Sequence, residues 1–512
     1  MLSSTRSGPA VVVRDHTDAQ LVGRVAVETW IVVGLTVVAA ALRFATIRSQ
    51  SYWLDEATTV HELRLPFGAM LHSVRVNETT PPLYFVVAWV WAKVFGTGEL
   101  GLRALSALAG IAVVPLAYLS SRELISRRAG VVAAALVAVS PFLIWYSQEA
   151  RSYMLFTALC AASFLYFARC LRRPSTANVW LWCVFSSLAV LTHFFAGFLV
   201  APEALGLLYV LRDRLIAAVT GVVAVVQAAV LPLAISDTSH PLNWIQGFPL
   251  GTRLQQIPLA LWLGNLYQSS LAKYGLWIAV GVAVAVVVVL VIGASTDELR
   301  GAGIAAAVAA FVVFVPILLA LVGSDYVVAR NFAPVWVPLA VVVGAASMAE
   351  RARAAGVAVA VIAVAAFIWA GVRVDTHTIF QRPNWRGVAA ALGTPTGPRA
   401  IVAYDGTYAT APLAIYLPGV AWFGPGGQDP QPGTAPVTVS EVDVIGSSFD
   451  QPPAPLPVGV TRISSKVVDG YAIERYALVP SWHGSRAELG ARASALLIPS
   501  SGTPGVIVQR PA

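Results

Sequence analysis

Two adjacent carboxylates, Asp55 and Glu56, stand directly after the first long apolar run, in Ser51-Tyr52-Trp53-Leu54-Asp55-Glu56-Ala57. Ionisable groups kept at a bilayer face are costly and call for a reason. A carboxylate at the water–lipid boundary can take a proton from a hydroxyl arriving from water while a lipid-borne substrate is presented from the side; the plainer alternative is a pair of solvated helix-capping groups. Further along, Gln148-Glu149-Ala150-Arg151-Ser152-Tyr153 interrupts two apolar runs, and Arg330 lies in Asp325-Tyr326-Val327-Val328-Ala329-Arg330-Asn331-Phe332. Arginine offers a planar fork of donors suited to phosphate oxygens. Arg151 and Arg330 are therefore candidate phosphate ligands, unless Glu149 and Arg151 merely satisfy each other. His193, in Leu191-Thr192-His193-Phe194-Phe195, can hydrogen-bond a phosphate or a sugar hydroxyl, or simply close a turn. Glu149 and Tyr153, with Glu78 and Tyr84 from Asn77-Glu78-Thr79-Thr80-Pro81-Pro82-Leu83-Tyr84-Phe85, complete the candidate substrate-binding set.

The elements that must position these groups are membrane helices. The 512 residues are 57% hydrophobic and 12% charged, with a mean hydropathy of +0.72, beyond the roughly 45–50% apolar usage of soluble domains. Apolar stretches long enough to cross a ~30 Å hydrocarbon core recur from about residue 25 to 372. Candidate helices are 25–47, 82–96, 101–119, 130–147, 152–170, 178–192, 194–211, 215–235, 274–293, 304–322, 333–348 and 355–372. Residues 25–47 are too long for a signal sequence and are expected to remain as the first span. The region 82–119 holds two apolar segments where charge placement asks for one net crossing.

Basic clusters orient the spans: Arg6, Arg14 and Arg24; Arg122, Arg127 and Arg128; Arg169, Arg172 and Arg173; Arg212 and Arg214; Arg351 and Arg353. With these in the cytoplasm, the acidic doublet, the turns at 148–153 and His193, a loop from Ser236 to about Lys273 and residues 323–331 all fall on the opposite face. Residues 57–70 are expected to form one amphipathic helix on that surface, and His240, Asn243 and Trp244 a lid over the site, unless Trp244 is an interfacial anchor. The net charge of +8 is scattered between apolar runs, so no nucleic-acid partner is expected. Cys160, Cys170 and Cys183 lie in or beside apolar runs and suggest neither disulfide nor metal framework.

Beyond residue 372 short apolar runs alternate with turn residues. Residues 400–404 and 437–439 read as strands and 385–392 as a short helix, hence a small α/β domain. The organisation expected is a cytoplasmic segment 1–24, a membrane domain 25–372 with its first external loop at 48–81, and an extracytoplasmic domain 373–512. No zinc spacing and no Gly-rich phosphate loop is present, which disfavours nucleotide-sugar binding and favours a lipid phosphate donor. No cofactor is assigned, and a divalent cation is left open.

These residues resemble the C-type integral-membrane glycosyltransferases (GT-C) that use polyprenyl-phosphate sugars, including protein O-mannosyltransferases and lipid A aminoarabinose transferases. The resemblance rests on Trp53-Leu54-Asp55-Glu56-Ala57, Pro81-Pro82-Leu83-Tyr84, residues 101–110, Ser140-Pro141, Gln148 to Tyr153, Thr192-His193-Phe194-Phe195, Arg330-Asn331-Phe332 and Arg382-Pro383-Asn384-Trp385-Arg386-Gly387. It implies an all-α membrane domain of about 11–13 spans followed by the small α/β domain, with Asp55 as general base and Glu56 in support. Donor phosphate then falls to Arg151, Arg330 and His193, because Thr80 stands where members often carry a basic residue before the paired prolines. The implied reaction is inverting transfer of a hexosyl, specifically mannosyl, group from a polyprenyl phosphate to a hydroxyl of a cell-envelope glycan, glycolipid or protein. A secondary transporter or lipid flippase, which would place its charges nearer the midplane and show repeated halves, and a non-catalytic envelope-assembly protein are the alternatives.

Overall fold

Where the sequence runs apolar for about a span's length the chain is helical, because in lipid only a helix satisfies every backbone group internally. The computed structural model describes residues 15–78, 80–236, 245, 247–268, 272–404, 406–420, 436–447, 456, 458–497 and 504–511. The proposed lid residues His240, Asn243 and Trp244, and Arg6 and Arg14, lie outside them.

Helix α1 (Asp15–Ala45) leads to two short helices, α2 (Leu54–Arg64) and α3 (Phe67–Asn77). The single surface helix expected over 57–70 is thus two, divided at Leu65-Pro66, since proline disfavours a helical residue before it. Then come α4 (Leu83–Phe95), α5 (Glu99–Leu124), α6 (Arg127–Val139) and α7 (Pro141–Ser147). At 13 residues α4 is about 20 Å long and α5, at 26, about 39 Å. Of the two, only α5 is long enough to cross a ~30 Å hydrocarbon core, as one net crossing over 82–119 would require.

The expected continuous helix 130–147 bends by 55° between α6 and α7. Pro141 has no N–H for the Val137 carbonyl, and Arg43 of α1 supplies the missing donors: Nη2 to Val137 O (3.2 Å), Nη1 to Ala138 O (3.0 Å) and Nε to Ser147 Oγ (3.0 Å). An arginine buried within the first span therefore serves the break in its neighbours.

Next are α8 (Tyr153–Arg172), α9 (Thr176–Thr192), α10 (Ala196–Leu211) and α11 (Arg214–Ser236). The segment expected to be an open loop from 236 to 273 contains α12 (Leu250–Leu263) and a 3-10 turn, Gly264–Gln268. Thr252, Arg253, Gln255 and Gln256 break the apolar pattern of α12, so hydropathy alone does not mark it as a helix. Helices α13 (Ala272–Gly293), α14 (Thr296–Leu321), α15 (Trp336–Ser347) and α16 (Arg353–Thr376) finish the bundle, with a 3-10 turn, Ala329–Val335, leading into α15. A capping box of Ser295 and Glu298 starts α14.

Among the described residues eight helices are long and apolar enough to cross a membrane, nine if the bent pair is one span, and α4, α9 and α10 are shorter apolar helices. Small residues let these helices approach closely. A Cβ at Gly356 would lie 2.0 Å from the Ala346 carbonyl oxygen, and one at Gly301 2.3 Å from that of Leu124, so α16 meets α15, and α14 meets α5, through backbone.

After the bundle come α17 (Trp385–Leu392), β1 (Arg399–Ala403), α18 (Thr407–Tyr416), β2 (Pro436–Ser447), β3 (Val460–Val468), β4 (Tyr471–Ser485), α19 (Arg486–Leu497) and β5 (Gly505–Gln509). The sheet order is β3-β4-β2-β1-β5; β1 and β2 are parallel and the other pairs antiparallel. Buried Arg399 bonds Asp443 (2.9 Å) and the Leu392 carbonyl (2.8 Å), tying α17 to the sheet. The domain packs directly on the first loop: Ala57 of α2 shares an apolar cluster with Trp385 and Leu413.

Gly356→Ala should therefore destabilise the protein by about 1–3 kcal/mol through overpacking against immovable backbone. Gly34→Ala, whose added methyl meets nothing within 4 Å, should be neutral. Thermal unfolding of both variants in detergent checks the contrast.

Candidate active site

The turn after α1 is held by a closed ion pair. Glu56 and Arg103 are 0% and 1% exposed. Arg103 donates Nε to Glu56 Oε1 and Nη2 to Oε2, each at 2.7 Å. Its other donors reach the carbonyls of Ile47, Gln50 and Ser51 at 2.7–3.0 Å, and the Ala150 N–H adds a bond to Glu56 Oε1 (2.9 Å). Both carboxylate oxygens are consumed. Glu56, expected to support the chemistry, fastens α2 to α5 and to the 148–152 turn.

Asp55, its neighbour, turns the other way. Its Oδ2 accepts from Arg330 Nη1 at 3.0 Å, and both side chains remain 21% exposed. The Arg330 guanidinium lies over the Tyr153 ring at 5.4 Å. Arg330 also lines a cavity of about 900 Å³ together with Trp53, Trp145, Glu149, Arg253 and Arg382. The 148–153 turn, the first loop and the 3-10 turn before α15 thus meet at one hollow.

Two of its cations were not among the expected site residues. Arg382 bonds Glu149 Oε2 (3.0 Å) and the Gln148 carbonyl (3.2 Å), and stacks on Trp145 at 4.2 Å. Its place in the Arg382 to Gly387 motif was the available signal. Arg253 of α12 donates to Asp325 and to the Val327 carbonyl (2.9 Å), anchoring the segment that carries Arg330; no local pattern marks it. Glu149 keeps one oxygen without a hydrogen-bond partner, and burial, opposed by Arg382 and reinforced by Glu56 and Asp55, pushes its carboxyl up to about 7.

The remaining expected residues sit elsewhere. Arg151 is engaged by Glu78 in a two-pronged pair, 2.9 Å on each side, and donates to Thr59 Oγ1 (3.2 Å); its partner is Glu78, not Glu149. Tyr84 is buried in the apolar cluster under α2 and α3. His193 is buried, stacks on Phe156 at 4.6 Å, and its Nδ1 accepts from the Phe195 N–H (3.2 Å). Burial, and then Arg330 and Arg151, lower its pKa to about 3, which favours the neutral ring. Glu62, also on α2, accepts from Ser73 (2.9 Å) and is pushed up to about 7, chiefly by burial. Among the described residues no three His, Cys, Asp or Glu side chains are grouped as a metal site.

Two outcomes follow from these charges. Glu56→Gln leaves Arg103 as a buried unpaired cation and should cost on the order of 3–5 kcal/mol in unfolding assays. For Glu62, a folded pKa near 7 above an unfolded value near 4.5 means stability is full below about pH 4.5 and falls as pH rises to about 7. Glu62→Gln should therefore melt progressively higher than the parent between pH 5 and pH 8, by an equivalent of roughly 1–3 kcal/mol at the top of the range; a pH-independent difference would refute this.

Residues 79–239 match the family described as dolichyl-phosphate-mannose-protein mannosyltransferase. A protein of Aquifex aeolicus (strain VF5), named only as uncharacterized, is 31% identical over 167 residues, which span 32% of this chain and 32% of that relative. Two crystal structures of ArnT from Cupriavidus metallidurans superpose over most of both chains. The apo form has a TM-score of 0.52 at 13% identity, covering 89% of this chain and 98% of ArnT. The form bound to undecaprenyl phosphate has 0.51 at 13%, covering 88% and 98%. The chain thus shares the fold of these ArnT structures, and within that fold residues 79–239 resemble the mannosyltransferase family.

Proposed function

We propose that the chain transfers a hexosyl group, specifically mannosyl, from a polyprenyl phosphate to an acceptor hydroxyl on the outer membrane face, with inversion at the anomeric carbon. The observation that carries this reading is the cavity shared by Arg253, Arg330 and Arg382 and its continuation, past Trp145 and Asn265, into an apolar groove lined by Leu42, Ile368 and Val372. All three groove residues are exposed on the bundle surface. A phosphate at the arginines with its isoprenoid tail in that groove satisfies both halves of an amphipathic donor. The undecaprenyl phosphate held by one of the ArnT structures is a ligand of this chemical class.

In the reaction Asp55 takes the acceptor proton, the new bond forms to the anomeric carbon, and the bond to the phosphate oxygen breaks with its electron pair on phosphate. The leaving group already bears charge and needs electrostatic company more than a proton. Arg330 sits beside the base and Arg382 is fixed by Glu149, so both cations are set before substrate arrives. Placing Arg122, Arg127, Arg128, Arg169, Arg172 and Arg173 in the cytoplasm puts this site outside.

Purified protein given radiolabelled polyprenyl-phosphate mannose and membrane extract should label an acceptor, and Asp55→Asn should lower turnover by about 10²–10⁴-fold while expression and melting are kept. Undiminished turnover in that variant removes Asp55 from the mechanism. Transfer from another lipid-linked sugar but not from this one changes the sugar assignment, and solute counterflow in proteoliposomes without transfer favours a transporter.

A further inference from the structure

A second crevice, of about 600 Å³, shares no lining residue with the active-site cavity. It lies between the turn after α1, the start of α5 and α18 of the C-terminal domain. Arg48, Arg64 and Arg386 line it, with Glu99 the only acid among its lining residues. Glu99 is already engaged: Arg386 Nη1 donates to one oxygen and the Tyr416 hydroxyl to the other, both at 2.5 Å. Arg48 and Arg64 are exposed and have no carboxylate partner among the described residues. Arg64 makes one long bond, Nε to Thr97 Oγ1 at 3.4 Å.

The surroundings are those of a bilayer boundary. Arg48 follows the end of the span Val27–Ala45, and Glu99 begins the span of α5. Phe95 and Leu100, 54% and 44% exposed, form the apolar edge of the crevice. Arg122, Arg127 and Arg128 lie at the other end of α5, about 39 Å away along its axis. If those are cytoplasmic, the crevice holds cations on the face where membrane proteins are short of them, and uncompensated charge there asks for an anionic ligand.

We propose that this crevice binds the phosphate headgroup of an anionic membrane lipid, held by Arg48 and Arg64 with its acyl chains along Phe95 and Leu100. Its occupant lies against Tyr52 and Tyr416, and the Tyr416 hydroxyl accepts from the Tyr52 N–H at 2.7 Å. The lipid therefore braces the contact that seats the C-terminal domain on the first loop, just upstream of Asp55. This goes beyond the transfer reaction and does not depend on which sugar is carried.

The test is native mass spectrometry of the full chain released from vesicles of phosphatidylcholine mixed with phosphatidylglycerol. Preferential retention of phosphatidylglycerol is expected, weakened about fivefold for each arginine removed in Arg48→Ala and Arg64→Ala, restored by lysine at both positions, and unaffected by Arg173→Ala on the opposite face. Undiminished retention in the double alanine variant, equal retention of phosphatidylcholine, or displacement of the lipid by inorganic phosphate alone would overturn the proposal. Transfer assays keep the two readings apart: Asp55→Asn should lose turnover and keep the lipid, and the double alanine variant should lose the lipid while donor-dependent turnover persists.

Discussion

The arrangement around the cavity depends on one buried ion pair, Arg103 with Glu56. Arg103 and Glu56 sit where isolated charges would each cost several kcal/mol to desolvate. The cost is offset because all five guanidinium donors are used, two on Glu56 and three on the carbonyls of Ile47, Gln50 and Ser51. Those carbonyls belong to a turn with no regular secondary structure to satisfy them. The pair thus folds the turn, begins α2 and leaves Asp55 to meet Arg330, which lines the cavity, while Glu56 is closed on Arg103.

The same economy is repeated around the site. Asp55 meets Arg330, Glu149 meets Arg382, Glu78 meets Arg151 and Asp325 meets Arg253. Each of these charges is held by an opposite one, so the groups around the cavity are fixed without a ligand. The pairs differ in access. Arg330 and Asp55 are partly open, Arg382 lines the cavity while bound to Glu149, and Arg151 is closed off by Glu78. Access, rather than residue type, separates the groups suited to meeting substrate from those that brace them.

The C-terminal domain belongs to this scheme. Trp385 and Leu413 pack on Ala57 of α2, Tyr416 holds the Tyr52 N–H, and Arg386 N donates to Ser51 Oγ at 3.0 Å. The first loop is consequently clamped between the bundle below and an α/β domain above. The segment that carries Asp55 is thereby held from both sides, as a preorganised site requires.

Much of the architecture was legible in the chain. The apolar periods located the bundle because lipid forces every spanning segment to satisfy its own backbone, and the change of pattern after residue 372 marked the sheet domain because strands and helices bury different periods. Asp55 and Arg330 stood out as charges retained where charges are expensive. What the sequence does not encode locally is partnership. The acids and arginines of the site are separated by 47, 73, 233 and 275 residues, and any of several pairings would satisfy composition alone. That Arg382 and Arg253 line the cavity, and that Glu56, Tyr84 and His193 are buried among other partners, is not legible in the sequence for that reason. Residue types and their order determined a membrane helical bundle with ionisable groups at one face; the packing of distant segments decided which carboxylate stays open, because burial and pairing are properties of neighbours in space.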